Sequence, residues 1–171
     1  MLKKSILLVA ALALGIAQSA SADLWQFNIS ANGTQEVPSN ASTGTGTAIA
    51  VLDTATGIMT VNGTFTGLTG VVNNAHIHGF AAAGVNAGVK IGLTFTGTNS
   101  GTVSGSGVIT GDSPTFASTL GGLTYLNIHS SVFAGGEIRG QLINPVAIPE
   151  PTSAAILGLT GLSVLARRRR K

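Results

Sequence analysis

No cysteine occurs anywhere in the 171 residues. Disulfides are thereby excluded, and a domain in this chain must hold by its apolar core alone, even in an oxidising compartment. Charge is scarce as well, and its placement matters more than its sum. Lys3, Lys4, Arg167, Arg168, Arg169, Arg170 and Lys171 all lie at the two ends. Residues 23 to 150 keep only Lys90 and Arg139 against Asp23, Glu36, Asp53, Asp112, Glu137 and Glu150, a net charge of −4. The pI near 9.8 therefore belongs to the termini, and nucleic acid is not an expected partner of the middle of the chain. Also missing are a dinucleotide-binding glycine fingerprint, a P-loop and a nucleophile elbow.

The ends read as addresses. Lys3 and Lys4 precede an apolar run from Ile6 to Ala17 and the small-residue triplet Ala20, Ser21, Ala22. The run is well short of the roughly 20 residues that span a bilayer. This is the pattern of a signal peptide over residues 1–22, removed by signal peptidase after Ala22. At the other end, residues 146–171 place Pro149, Glu150 and Pro151 before an apolar stretch and a terminal Arg/Lys cluster, 167–171. Prolines bar a helix interior, so a short apolar helix is expected over 153–166. The basic cluster behind it stays on the cytoplasmic side.

Together, Pro149-Glu150-Pro151, the apolar helix and the Arg cluster resemble the PEP-CTERM sorting signal of Gram-negative bacteria. That resemblance implies transient association with the inner membrane and cleavage by an exosortase. It further implies a final location at the cell surface or in the extracellular matrix, where such proteins accompany exopolysaccharide and biofilm.

Between the ends, short alternating runs rich in Thr, Val, Ser and Gly are separated by turn residues every eight to twelve positions. This predicts one all-β domain over 23–145, an antiparallel β-sandwich. Strands are expected near 24–30, 46–53, 58–66, 71–78, 89–97, 101–109, 123–129 and 136–143. Asp53-Thr54-Ala55-Thr56-Gly57 and Gly97-Thr98-Asn99-Ser100-Gly101 read as hairpin turns. The stretch 113–122 breaks the alternation and reads either as one helical turn or as a loop.

The rare polar residues of the domain gather in two segments, Ala75-His76-Ile77-His78-Gly79 and the run from Tyr125 to Leu142. Side chains alternate along a strand. Ile77, Leu126, Ile128, Ile138 and Leu142 are thus expected on the core face, and His76, His78, Asn127, His129, Glu137, Arg139 and Gln141 on the opposite one.

His-Ile-His-Gly, Tyr-Leu-Asn-Ile-His-Ser-Ser-Val-Phe-Ala-Gly-Gly-Glu-Ile-Arg-Gly-Gln-Leu and the early Gly33-Thr34-Gln35-Glu36-Val37-Pro38 are similar to the CHRD (chordin-type) domain. Members often carry Pro in the turn before the Gly-Glu-Ile-Arg-Gly segment, where this chain has Ala134 and Gly135. The resemblance implies a Greek-key-like sandwich, distantly like that of Cu,Zn superoxide dismutase, and a binding module rather than a reaction.

Two readings of the polar cluster follow. In the first the domain is a non-enzymatic binding or structural module, with no cofactor, in which Glu137 and Arg139 fix the sheet by hydrogen bonds or an ion pair and the histidines support them. Its partner would be exopolysaccharide or another surface protein. In the second, His76, His78 and His129 hold Zn²⁺ or Cu²⁺, with Glu137 as the available carboxylate. Dismutase chemistry is disfavoured, because a two-metal site of that kind uses six histidines and an aspartate where this chain owns three histidines.

Overall fold

A computed structural model describes residues 24–109 and 115–148. The expected signal peptide, the Pro149-Glu150-Pro151 motif, the helix over 153–166 and the cluster 167–171 lie outside the described residues. Among the described residues, no helix is long and apolar enough to cross a membrane.

The unit Asp23–Ile148 is an all-antiparallel β-sandwich, as its alternation predicts. Its strands are β1 (Leu24–Asn32), β2 (Thr45–Asp53), β3 (Ile58–Thr66), β4 (Val72–Gly79), β5 (Val89–Gly92), β6 (Thr94–Gly97), β7 (Gly101–Val108), β8 (Thr124–Ser130), β9 (Ile138–Gln141) and β10 (Val146–Ile148). The strand order is β5-β4-β8-β9-β1-β2-β3-β7-β6, with β10 paired to β1. A short helix, α1 (Thr115–Leu120), occupies the segment where the alternation fails. Because Val146, Ala147 and Ile148 pair with Gln26, Trp25 and Leu24, the sandwich runs three residues past the expected limit at 145.

The expected single strand over 89–97 is divided. Its first half, β5, pairs with β4, and its second, β6, pairs with β7. Between them Leu93 is buried and its amide donates to the Ala75 carbonyl at 2.9 Å. Burying Leu93 turns the chain from one half of the sandwich into the other and brings the two ends of the strand order together.

The core follows from period two. In β2 and β3 alternate residues are buried (Gly46, Ala48, Ala50, Leu52; Met59, Val61, Phe65), with Gly63 half-buried, while Thr45, Thr47, Ile49, Thr60, Asn62 and Thr64 are exposed. Phe27, Leu52, Met59, Ile77, Leu126, Ile128, Ile138 and Leu142 are fully enclosed. Each such side chain stabilises the fold by about 1.5–3 kcal/mol relative to exposure. The Asp53–Gly57 turn is fixed locally. Asp53 Oδ1 accepts from the Ala55 and Thr56 amides, and Gly57 takes the positive φ of 73° that the reversal requires.

Candidate functional site

Strands β4, β8 and β9 lie side by side in the order that places rare residues in rows. His76 pairs with Asn127 and Asn127 with Arg139; His78 pairs with Tyr125 and Tyr125 with Gln141; Asn74 pairs with His129. The face sorting expected from the sequence holds for the residues within strands. Ile77, Leu126, Ile128 and Ile138 are buried in the core, as is Leu142 just past β9. His76, His78, Asn127, His129, Arg139 and Gln141 alternate with them, whereas Glu137, ahead of β9, turns to Ser42, Thr69 and Gly70 instead. The polar face is only partly open to water, however: His76, His78 and His129 are half-buried, while Arg139 is 1% exposed, Asn127 3% and Gln141 8%. The segments 33–42 and 79–88 lie over it, so the polar residues sit between a sheet and a roof.

Arg139 carries the roof. Its guanidinium lies 3.5 Å from the Tyr125 ring centroid, donates to the Val85 carbonyl at 3.0 Å and the Ala82 carbonyl at 3.3 Å, and donates to Gln141 Oε1 at 2.9 Å. Gln141 in turn donates to the carbonyls of Ala81 and Gly122. A buried charge is tolerable only when hydrogen-bonded this fully. Burial lowers the Arg139 pKa, against the opposing pull of Tyr125 and Glu36. Of the two expected ways for Glu137 and Arg139 to fix the sheet, it is hydrogen bonds that form, and each residue has its own partners. Glu137 accepts from Ser42 Oγ at 2.6 Å and from the amides of Thr69 and Gly70. Burial pushes its pKa up, but the hydrogen bonds from Ser130, Ser42, Thr69 and Gly70 prevail and hold the carboxyl below its ordinary value. Its oxygens are thus occupied in pinning loops, and it does not join the histidines.

The three histidines do come together. One ring nitrogen from each of His76, His78 and His129 lies within 4.8 Å of the other two. His78 Nδ1 is 2.9 Å from the Ala87 carbonyl, and His129 Nδ1 is 2.9 Å from the Ala134 carbonyl. A carbonyl oxygen only accepts, so both Nδ1 atoms carry hydrogen and both Nε2 atoms present bare lone pairs. The His78 Nε2 is buried with no partner. His76 Nδ1 lies 3.3 Å from His129 Nε2. Burial first, then the neighbouring His129 and His78, lowers the His76 pKa. Burial also lowers that of His78, where the Ala87 hydrogen bond opposes and His129 and Arg139 add to the fall. Neutral imidazoles are favoured by these shifts.

Sequence reasoning quoted Glu36 without giving it a role. Glu36 is 6% exposed and its pKa is pushed up to about 7, chiefly by burial, against Arg139 and hydrogen bonds from Asn127 and Val37. The Asn127 amide donates to Glu36 Oε2 at 3.2 Å. The only signal that could have found it is a lone acid in a chain with so few, placed just before Val37 and Pro38. Tyr125 was also passed over. It stacks on His78 with centroids 5.0 Å apart, and its hydroxyl accepts from the Ala87 amide at 2.9 Å, so it steadies the carbonyl that orients His78.

These features define an antiparallel sandwich whose rare polar residues are gathered beneath loops on one outer face. The chain belongs to the CHRD domain family, whose model matches residues 27–142. No curated protein and no solved structure matches it.

Proposed function

We propose that this chain is an exported, exosortase-processed protein of the cell surface or extracellular matrix, and that its CHRD sandwich is a non-enzymatic binding module. The observation that carries the reading is the packing of the domain's only arginine and its three histidines onto one loop-covered face. Burying such residues costs stability unless each is satisfied, and a sheet needing only a core would not require them. The face is the contact centre for exopolysaccharide or another surface protein. Signal peptidase and exosortase act as partners during export, and the C-terminal helix associates transiently with the inner membrane.

The test uses the full chain with an internal tag in a Gram-negative host that carries an exosortase. The wild-type chain is expected in the surface or matrix fraction. Replacement of Pro149, Glu150 and Pro151 by Ala should leave it in the inner membrane. A histidine-face double variant, His76→Ala with His129→Ala, should still be exported but wash out of the matrix. Equal matrix retention of wild type and face variant overturns the binding centre, and equal fractionation of wild type and motif variant overturns the sorting.

A further inference from the structure

The ligand of the histidine face follows from its nitrogen geometry, an inference that rests on the binding-module reading and names what that face takes first. We propose that His76, His78 and His129 form a tri-imidazole site for a divalent transition-metal ion of the zinc and copper class.

Three independent features of the site point to a cation. The first is separation. Two nitrogens each 2.0–2.1 Å from a tetrahedral zinc lie about 3.3 Å apart, and His76 Nδ1 and His129 Nε2 are 3.3 Å apart. One nitrogen from each of the three rings lies within 4.8 Å of the other two. The second is the tautomers. Metal-ligating histidines characteristically donate their other ring nitrogen to a carbonyl or carboxylate, which fixes the ring and raises its basicity. Here Ala87 and Ala134 perform that service for His78 and His129. The third is the buried, unpartnered Nε2 of His78. Leaving such a buried acceptor unsatisfied is destabilising. Coordination would satisfy it.

The alternative explanation for three close imidazoles is a hydrogen-bonded chain. The His76–His129 contact fits that reading, with His76 Nδ1–H donating to His129 Nε2. It leaves the lone pair on His78 without a donor, whereas a metal ion uses all three. Neutral nitrogen ligands without thiolate suit Zn²⁺ and Cu²⁺ rather than Ca²⁺ or Mg²⁺, which take oxygen. No carboxylate belongs to the group, so the ion would keep most of its positive charge and at least one coordination position for solvent or for a donor on a partner. Loop 79–88 links this site to Arg139, because Arg139 holds Ala82 and Val85 while Ala87 holds His78.

The purified full chain, stripped with chelator and titrated calorimetrically with Zn²⁺ and then Cu²⁺, is expected to bind one equivalent. The His76→Ala/His129→Ala variant should show no saturable binding. Co²⁺ should give the absorption of a four- or five-coordinate nitrogen site in the wild type alone. Tyr125→Phe, which removes the hydroxyl that steadies Ala87, should weaken binding by about 10- to 100-fold. Should the double variant fail to fold, the wild type decides by imidazole nitrogen-15 resonances: shifts at three rings with one equivalent of Zn²⁺ support the site, and unmoved resonances overturn it. A chain that takes no metal yet loses matrix retention on His76→Ala/His129→Ala would sink the metal while leaving the binding module intact.

Discussion

The side chains of Glu36 and Asn127 meet above Gly136, paired at one end and unpaired at the other. The Asn127 amide donates to Glu36 Oε2, while Glu36 Oε1 and Asn127 Oδ1 are both buried acceptors without a donor. They converge: a Cβ built on Gly136 would lie 2.5 Å from Asn127 Oδ1 and 2.7 Å from Glu36 Oε1. With the Glu36 pKa pushed up to about 7, a proton on Oε1 would let the acid donate towards Asn127 Oδ1, the acid–amide pair that the pH dependence of stability tests.

Glu36 therefore sets a pH dependence. Its folded pKa lies above its ordinary value of 4.5, so the native state holds the proton more tightly than the unfolded chain. The associated stability is complete below about pH 4.5 and falls as pH rises to about 7, by on the order of 3 kcal/mol. Arg139 is the charged group that opposes the shift. Glu36→Gln keeps a donor at Oε1 and should lose this slope. The lowered pKa values of His76 and His78 act in the opposite sense, so the decisive quantity is wild type minus Glu36→Gln in urea melts between pH 5 and 8. A difference that stays flat over that range would overturn the acid–amide pair.

Arg139→Lys should destabilise the domain by roughly 1.5–3 kcal/mol, because a point-charge ammonium cannot reproduce the fork that reaches Ala82, Val85 and Gln141 together while lying on Tyr125. Amide hydrogen exchange at Val85 and Ala87 should quicken, while exchange in β2 and β3 stays as it was. Unchanged loop exchange would show that the roof is held by something else.

Gly136→Ala should cost more than about 2 kcal/mol. Gly136 has φ +134°, a region closed to most L side chains, and the new methyl would strike the Glu36–Asn127 pair. Gly135→Ala, whose Cβ meets nothing within 4 Å, is the control and should stay within about 0.5 kcal/mol of wild type. Thermal melts of the two side by side settle it.

Phe27→Ala should cost about 3–5 kcal/mol, since Phe27 is fully enclosed. Trp25, two residues earlier on the same strand face, is only half-buried against the core, and Trp25→Ala should cost less. Chemical denaturation midpoints that rank the two in reverse would contradict the packing.

Alternation alone was enough to place most strands and to sort His76, Ile77 and His78 onto opposite faces, because a half-buried strand writes its own orientation into every second residue. It could not show that the polar face is covered. The cover, Ala81-Ala82-Ala83-Gly84-Val85-Asn86-Ala87, is made of small residues and binds through its backbone carbonyls, which every residue possesses. For the same reason the tautomers of His78 and His129 were hidden, being fixed by the carbonyls of Ala87 and Ala134. The corner at Leu93 was hidden too, since a buried leucine in an alternating run looks like any other strand position. That Glu137 and Arg139 make fixing hydrogen bonds was legible from their rarity, but their partners, Ser42, Thr69 and Gly70 for one and Ala82, Val85 and Gln141 for the other, were not.

The bend at Leu93 has a bearing on how copies of this chain meet. A sheet normally ends in two margins of unsatisfied backbone, and neighbouring molecules polymerise by stitching onto them. Here the outermost strands, β5 and β6, are consecutive pieces of one ribbon, so the weave is nearly seamed shut. Neighbouring copies would then find little selvedge to extend beyond the three residues of β10, which pair with β1 alone, so side chains and loops are left to make most of any contact between them.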